Sequence, residues 1–585
     1  MTRWFIASVL LISSAVSLTG QVQTPPKVQA PPKIEEKAVA EKLAKQVLLA
    51  DQILADAQGL RLGENRAFVY ARVGGMIWKT DKKTAQDIFQ RSVGEMGNAQ
   101  MLAEAEETRK SNQQDLRLMM TIRPGVLSAI GAFDAEFALE SLYRTRTASI
   151  QRALAQSAEP QTPISDLSGM MSAVAQSELN LEQRLLRLAA DQNPERAIKL
   201  LQDSLKKGLS NETLSLLQRL FVKEPELANS LAAETLDKLN AASFSTSPAD
   251  QVFVNLSTSI LNEFIRVKKP GAKDLKFEDM PIRSLANKLI TYFIGQDPRY
   301  SMGRIPSMLK IAEKLAPGMV AALKKLEKSS TPPGAPNSDV QKLMQANLPA
   351  AQMIAEAKKL SADTRAPVIQ QAANKMSQAG EINAAMELLN ANFSGTALNN
   401  AVNSLNWWYA AHLMNQGKWA EAERMIDDFP ESNKRAALMT LATRAFAKDA
   451  VENKTYALSV LSKVRAMLPD RPSDQTELAQ FMQLTSAFAG IEVDEAFNCF
   501  DPIVPQLNEL VDANAVVQGF QGNSMVRSGE FVLVNGGYFG FQFDQNVLRM
   551  LAKSDFDRTI KLIDSFTRRE MRISLKMQLA ETGLN

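Results

Sequence analysis

A short motif returns nine times along this chain, and its spacing restricts the fold more than any other feature. A polar or charged residue is followed four positions later by Ala (once Thr), and three or four further on by an apolar residue. The copies are Asp81–Ala85–Ile88, Asp134–Ala138–Leu142, Asn193–Ala197–Leu200, Glu224–Ala228–Leu231, Glu381–Ala385–Leu388, Lys418–Ala422–Met425, Asn453–Ala457–Val460, Glu492–Ala496–Cys499 and Asp555–Thr559–Leu562. The four that start at 381, 418, 453 and 492 lie 37, 35 and 39 residues apart. Such a period is the length of a helix pair that stacks on its neighbours, so the expected fold is all-α, a solenoid of antiparallel helix pairs.

The motif reads as a helix start. Asp81, Asp134, Asn193, Asn453 and Asp555 are residues whose side-chain oxygen can accept from a free first-turn amide. Pro194 and Pro225 follow Asn193 and Glu224 directly. They suit the first helical position, where a missing N–H costs nothing. The Ala lies one turn in, on the face shared with the apolar residue, and its small size allows close helix approach. Between the copies at 193 and 224 lies a second amphipathic stretch with Leu214, Leu217, Leu220 and Phe221, opened by Ser210. Each period therefore holds two helices.

Organisation follows from the interruptions. Residues 1–20 read as a secretory signal: Arg3, then a mostly apolar run from Trp4 to Leu18, too short for a comfortable span. An uncleaved N-terminal anchor is the alternative, and no later stretch is apolar for long enough to cross a membrane. The expected location is exported, periplasmic or extracellular. Residues 21–36 are a Pro-rich linker, 37–328 an N-terminal helical-repeat region, 329–338 a Pro/Ser linker, and 339–585 the C-terminal repeat region. In the N-terminal half the copies at 81, 134 and 193 lie 53 and 59 residues apart, which implies longer helices or extra loops. One stretch breaks the helical pattern. Phe531 to Phe543 alternates apolar and aromatic residues around Asn535-Gly536, which predicts a small irregular or hairpin insertion over the end of the array.

Composition narrows the chemistry. With 67 basic and 64 acidic residues and no basic block, nucleic acid is not an expected partner. One Cys and one His make an internal disulfide impossible and a zinc site improbable. Cys499 lies on the apolar stripe and reads as a small core residue. His412 reads as a packed or groove-edge mid-helix histidine. Gly74-Gly75 lies within a helical stretch and reads as a close helix contact. Acidic pairs such as Asp427-Asp428 read as solvated. The sequence has no phosphate-cradling Gly loop, metal-ligand cluster or nucleophile elbow, so no cofactor, metal or catalytic residue is expected.

Residues 404–430, SLNWWYAAHLMNQGKWAEAERMIDDFP, resemble a tetratricopeptide repeat. Gly417, Trp419 and Ala422 match its Gly-x-aromatic-x-x-Ala turn, and Ala410 and Leu413 its first-helix small and large positions. Gly380 and Ala385 repeat the Gly and the Ala, so the likeness runs over 365–430. Phe429 departs from it, standing where a small residue is usual, and Pro430 falls short of the closing Pro. The resemblance implies a groove lined by first helices that takes a peptide or protein, with Trp407, Met414 and Asn415 facing it; otherwise Trp407 and Trp408 fill the space between helix pairs. The functional expectation is a non-enzymatic scaffold or protein-interaction protein of the cell envelope. The alternative is an α/α-toroid enzyme acting on polysaccharide through paired carboxylates, since folding alone could bring two acids together.

Overall fold

All nine polar positions of the motif stand directly before a helix in the computed structural model. Asp81 precedes Lys82–Glu107, Asp134 precedes Ala135–Arg144, Asn193 precedes Pro194–Lys207 and Glu224 precedes Pro225–Ala241. Glu381 precedes Ile382–Asn392, Lys418 precedes Trp419–Asp427, Asn453 precedes Lys454–Ala466, Glu492 precedes Val493–Phe500 and Asp555 precedes Phe556–Asp564. In every copy the N–H of the Ala or Thr donates to the carbonyl of the polar residue, at 2.9–3.3 Å. The four-residue spacing is thus the first helical hydrogen bond itself. The Ala or Thr is never more than 2% exposed. The third motif position is less strict: Leu200 is 41% exposed, and its neighbour Leu201 takes the buried place.

Side-chain capping is rarer than the residue types predict. Asp81, Asp134 and Asp555 accept from first-turn amides of Thr84, Phe137 and Arg558 at 3.0, 3.1 and 3.0 Å. Asn193 and Asn453 do not cap. They reach backwards instead, Asn193 Nδ2 donating to Glu136 and Asn453 Nδ2 to the Ala445 carbonyl. Ser210 anchors the turn before its helix, accepting from Glu212 N, and the helix begins at Thr213.

The described residues are 33–107, 113–157, 166–266, 274–296, 302–330, 338–521, 525–533, 539–541 and 543–583. They form an all-α array in which successive helices pack as antiparallel pairs and each pair packs on the next. By contacts the chain divides into residues 1–45 and 46–585. The expected signal and most of the first Pro-rich linker lie outside the described residues, as do residues 331–337 of the second. A helix already begins at Lys33, four residues before the first repeat region was expected to start. The glycine pair reads as expected: a Cβ on Gly74 would stand 2.5 Å from the Phe89 ring, and one on Gly75 2.4 Å from Phe133.

A short hairpin lies just upstream of the turn expected at Asn535-Gly536. Val526–Arg527 pairs antiparallel with Glu530–Phe531 across a turn at Ser528-Gly529, both in the left-handed region (φ +50° and +76°). That backbone matches the right-handed twist of a two-residue hairpin. Asn535-Gly536 lies outside the described residues. The segment after the hairpin is no loose cover, since Phe531, Val532, Leu533, Phe539, Phe541 and Phe543 are all buried.

Both ends of the sequence contribute to the core that takes them in. One apolar cluster takes in Leu49, Ile53, Val69 and Ile88 together with side chains from Ala410 to Leu579. Val532 joins a second cluster whose other members lie between Leu62 and Leu275. A third runs from Leu209 to Leu323, and two small ones cover Val340–Ala372 and Ala373–Leu405. The first helices and the last thus share a core. The helices of 338–405 have a thin one, and Ala153, Val174 and Ala175 form a smaller cluster still.

Candidate functional site

The helix Gly395–Gln416 carries Asn400, Asn403, Ser404 and Trp407 at spacings of three, one and three, which bring them to one face. Opposite it, the turn into the helix Glu431–Lys448 supplies Phe429, Pro430, Asn433 and Ala436. Between the two lies an open cavity of about 480 Å³. The Trp407 indole is half-buried and lies 6.4 Å from the Phe429 ring, centre to centre. Ser404 donates to Asn374 at 3.3 Å. The carboxamides of Asn400 and Asn403 make no hydrogen bond among the described residues. The wall thus offers an aromatic and proline floor beside amide groups that can both donate and accept.

The three residues expected to line a groove separate. Trp407 lines the cavity. Met414 does not: it is 2% exposed, within the large cluster. Asn415 is exposed and accepts from Arg444 at 3.2 Å. Position 414, at i+7, shares the face of Trp407 as Asn400 does at i−7, so what separates them is the packing: the large apolar cluster covers Met414, whereas Asn400, Asn403 and Ser404 line the cavity beside Trp407. Those three positions were readable from helical periodicity. Phe429, Pro430, Asn433 and Ala436 belong to the next helix pair, and only packing brings them across.

The reactive side chains are held by the scaffold. His412 Nδ1 lies 2.7 Å from the Gln378 carbonyl, so Nδ1 carries the proton, and Nε2 accepts from Gln416 Nε2 at 2.8 Å. The imidazole stacks on Tyr409 and covers Gly380 (φ +91°), where a Cβ would stand 2.9 Å from Nε2. Burial pushes the Cys499 thiol up. Asp427 is not free in solvent: burial raises its carboxyl, but Lys463 at 2.8 Å and Lys434 outweigh that and hold it below the usual range. Glu178 pairs with Arg123 and Arg146, and Glu182 with Arg146 and Lys207. Burial pushes the neighbouring Tyr143 hydroxyl up to about 12.

Where the chain ends meet, Glu530 is 6% exposed and accepts from Arg61 N at 2.6 Å, from Leu62 N at 3.3 Å and from Asn65 Nδ2 at 2.7 Å. Glu570 accepts from Phe531 N at 3.1 Å. Asp56 takes Arg572 and Lys576, each at 3.0 Å. Among the described residues no group of three His, Cys, Asp or Glu could hold a metal ion, and no helix is long and apolar enough to cross a membrane.

No family model matches the chain, and no curated protein matches it. A solved structure described as a circular tandem repeat protein with novel repeat topology and enhanced subunit contact surfaces is similar at 10% identity, over 89% of this chain and 98% of its own. The TM-score of that alignment is 0.18, too low to bear on how the helices are arranged.

Proposed function

We propose that the protein is a non-enzymatic helical-repeat scaffold, with tetratricopeptide-like pairs in its C-terminal half, exported to the cell envelope. Its partner is a protein segment bound in extended form at the Trp407 cavity. The observation that carries this reading is a half-buried indole left open beside two unengaged carboxamides on a first helix. Asn400 and Asn403 would pair with a peptide backbone, while Trp407, Phe429 and Pro430 would take one apolar side chain. Export is supported by Arg3 and the apolar run Trp4–Leu18. A non-catalytic role is supported by the buried carboxylates, since Glu178, Glu182, Glu530 and Glu570 all accept from donors of the scaffold itself.

The test is capture from envelope extract on the immobilised full chain, against Trp407→Ala and the double variant Asn400→Ala/Asn403→Ala. A stoichiometric partner should be retained by the parent and lost from both variants, with the double variant keeping the parent's thermal midpoint. Equal retention by all three, or turnover of a glycan by the chain alone, overturns the proposal.

A further inference from the structure

A second cavity, of about 700 Å³, opens where the two ends of the sequence meet. Its wall includes Gly59, Arg61, Asp512, Glu530, Arg568, Arg569, Glu570 and Arg572. Four guanidinium groups and three carboxylates face it, and they are not used alike. The acids are already engaged by the protein, Asp512 at its surface. Both Glu530 oxygens are taken by Arg61 N, Leu62 N and Asn65 Nδ2, and Glu570 takes Phe531 N. Asp512 takes Arg568 at 2.6 Å, and Asp56, behind the wall, takes Arg572.

Two cations are left. Arg569 lies over Gly59, donating to its carbonyl at 3.0 Å, and has no carboxylate partner among the described residues. The Arg61 guanidinium has no partner of any kind there. Both residues are exposed. The helix Arg569–Gln578 also starts at this wall, with no side chain capping its first turn.

We infer that this cavity binds a soluble small molecule through a phosphate monoester held by Arg61 and Arg569. Two guanidinium groups without a direct carboxylate partner among the described residues match a doubly charged oxyanion, whereas a single carboxylate would leave one unpaired. The volume falls in the range of small-molecule sites, so room remains for the rest of the ligand. The first-turn amides would add donors on the same side.

Arg61→Gln removes a head group that bonds to nothing in the fold, so its thermal midpoint in potassium chloride should equal the parent's. In the full chain, inorganic phosphate and glycerol 3-phosphate should raise the midpoint above chloride at equal ionic strength. Calorimetry should show Arg61→Gln binding either ligand about tenfold more weakly or worse. Arg569→Gln should lose binding equally. Arg424→Gln, on an exposed face elsewhere, should keep it. The inference falls if phosphate acts no differently from chloride, if Arg61→Gln binds like the parent, or if Arg424→Gln fails as well. It also falls if the chain binds vesicles containing phosphatidic acid but neither inorganic phosphate nor glycerol 3-phosphate.

Discussion

Asn65 is among the residues that tie the two ends of the chain together. Fully buried, it donates to Glu530 at 2.7 Å and to the Phe531 carbonyl at 2.6 Å, and it accepts from Leu533 N at 2.8 Å. Asn65→Ala strands the Leu533 amide away from water, and should cost about 2–4 kcal/mol in urea unfolding. Glu530, beside it, ties stability to pH. Burial raises its carboxyl above the usual range, with Glu570 adding to that and its donors opposing it. Between the unfolded and the raised folded value the native state therefore holds more protons, so stability contributed here is full at low pH and lost as pH rises through the folded value. Urea midpoints from pH 4 to 7 should show the parent losing stability relative to Glu530→Gln as pH rises. A constant difference across that range would remove Glu530 as the cause.

At the scale of the element, the nine motif copies share a backbone bond and a buried small residue, not a side-chain cap. That is why Glu224, Glu381, Lys418 and Glu492, poor capping types, still open helices. The Ala that follows packs tightly, and the tertiary contact holds the helix where its own terminus does not. The copies should therefore respond unequally to substitution. Asp134→Ala and Asp555→Ala should each cost about 1 kcal/mol, the usual loss of a cap. Glu381→Ala and Glu492→Ala, whose side chains cap nothing, should fall within about 0.5 kcal/mol of the parent. Denaturant midpoints of the four variants check this, and equal losses would place the effect elsewhere. The starts were legible because one hydrogen bond and one close contact recur at fixed spacing. Leu200 was misread because Leu201, one position on, meets the neighbouring helix instead.

Across the whole molecule the apolar clusters differ greatly in size, and that sets an order of opening. The cluster shared by residues 49–88 and 410–579 is the largest, and those that cover 338–405 are small. Amide exchange in the native state should be slowest in the helices Gly63–Ile77, Gln475–Ala489 and Gln545–Ser554. It should be fastest, among the described helices, in Ala148–Ser157, followed by Ala350–Ala357 and Ala362–Gln378, because less apolar surface is exposed when these open. Uniform protection along the chain would contradict the clustering. The junction was invisible in the sequence: Asn65 and Glu530 are 465 positions apart, and Asp56 and Lys576 are 520 apart. Periodicity carries no information about pairings at such separation. The aromatic run at 531–543 stands out in the sequence as an exception to the helical pattern, but nothing in the sequence shows that its side chains join the core shared by the first helices and the last.

By itself the sequence determined that this chain folds as stacked helix pairs and where nine of its helices begin. Both follow from bonds and contacts within one turn or between neighbouring pairs, and such local rules leave a period in the residues. Only the tertiary structure decided that the ends meet, that Met414 is core while Asn403 stands beside Trp407, and that Arg61 and Arg569 face one cavity. Each of those depends on which side of a helix, or which distant segment, wins the apolar contact, and that competition is settled by packing the whole chain at once.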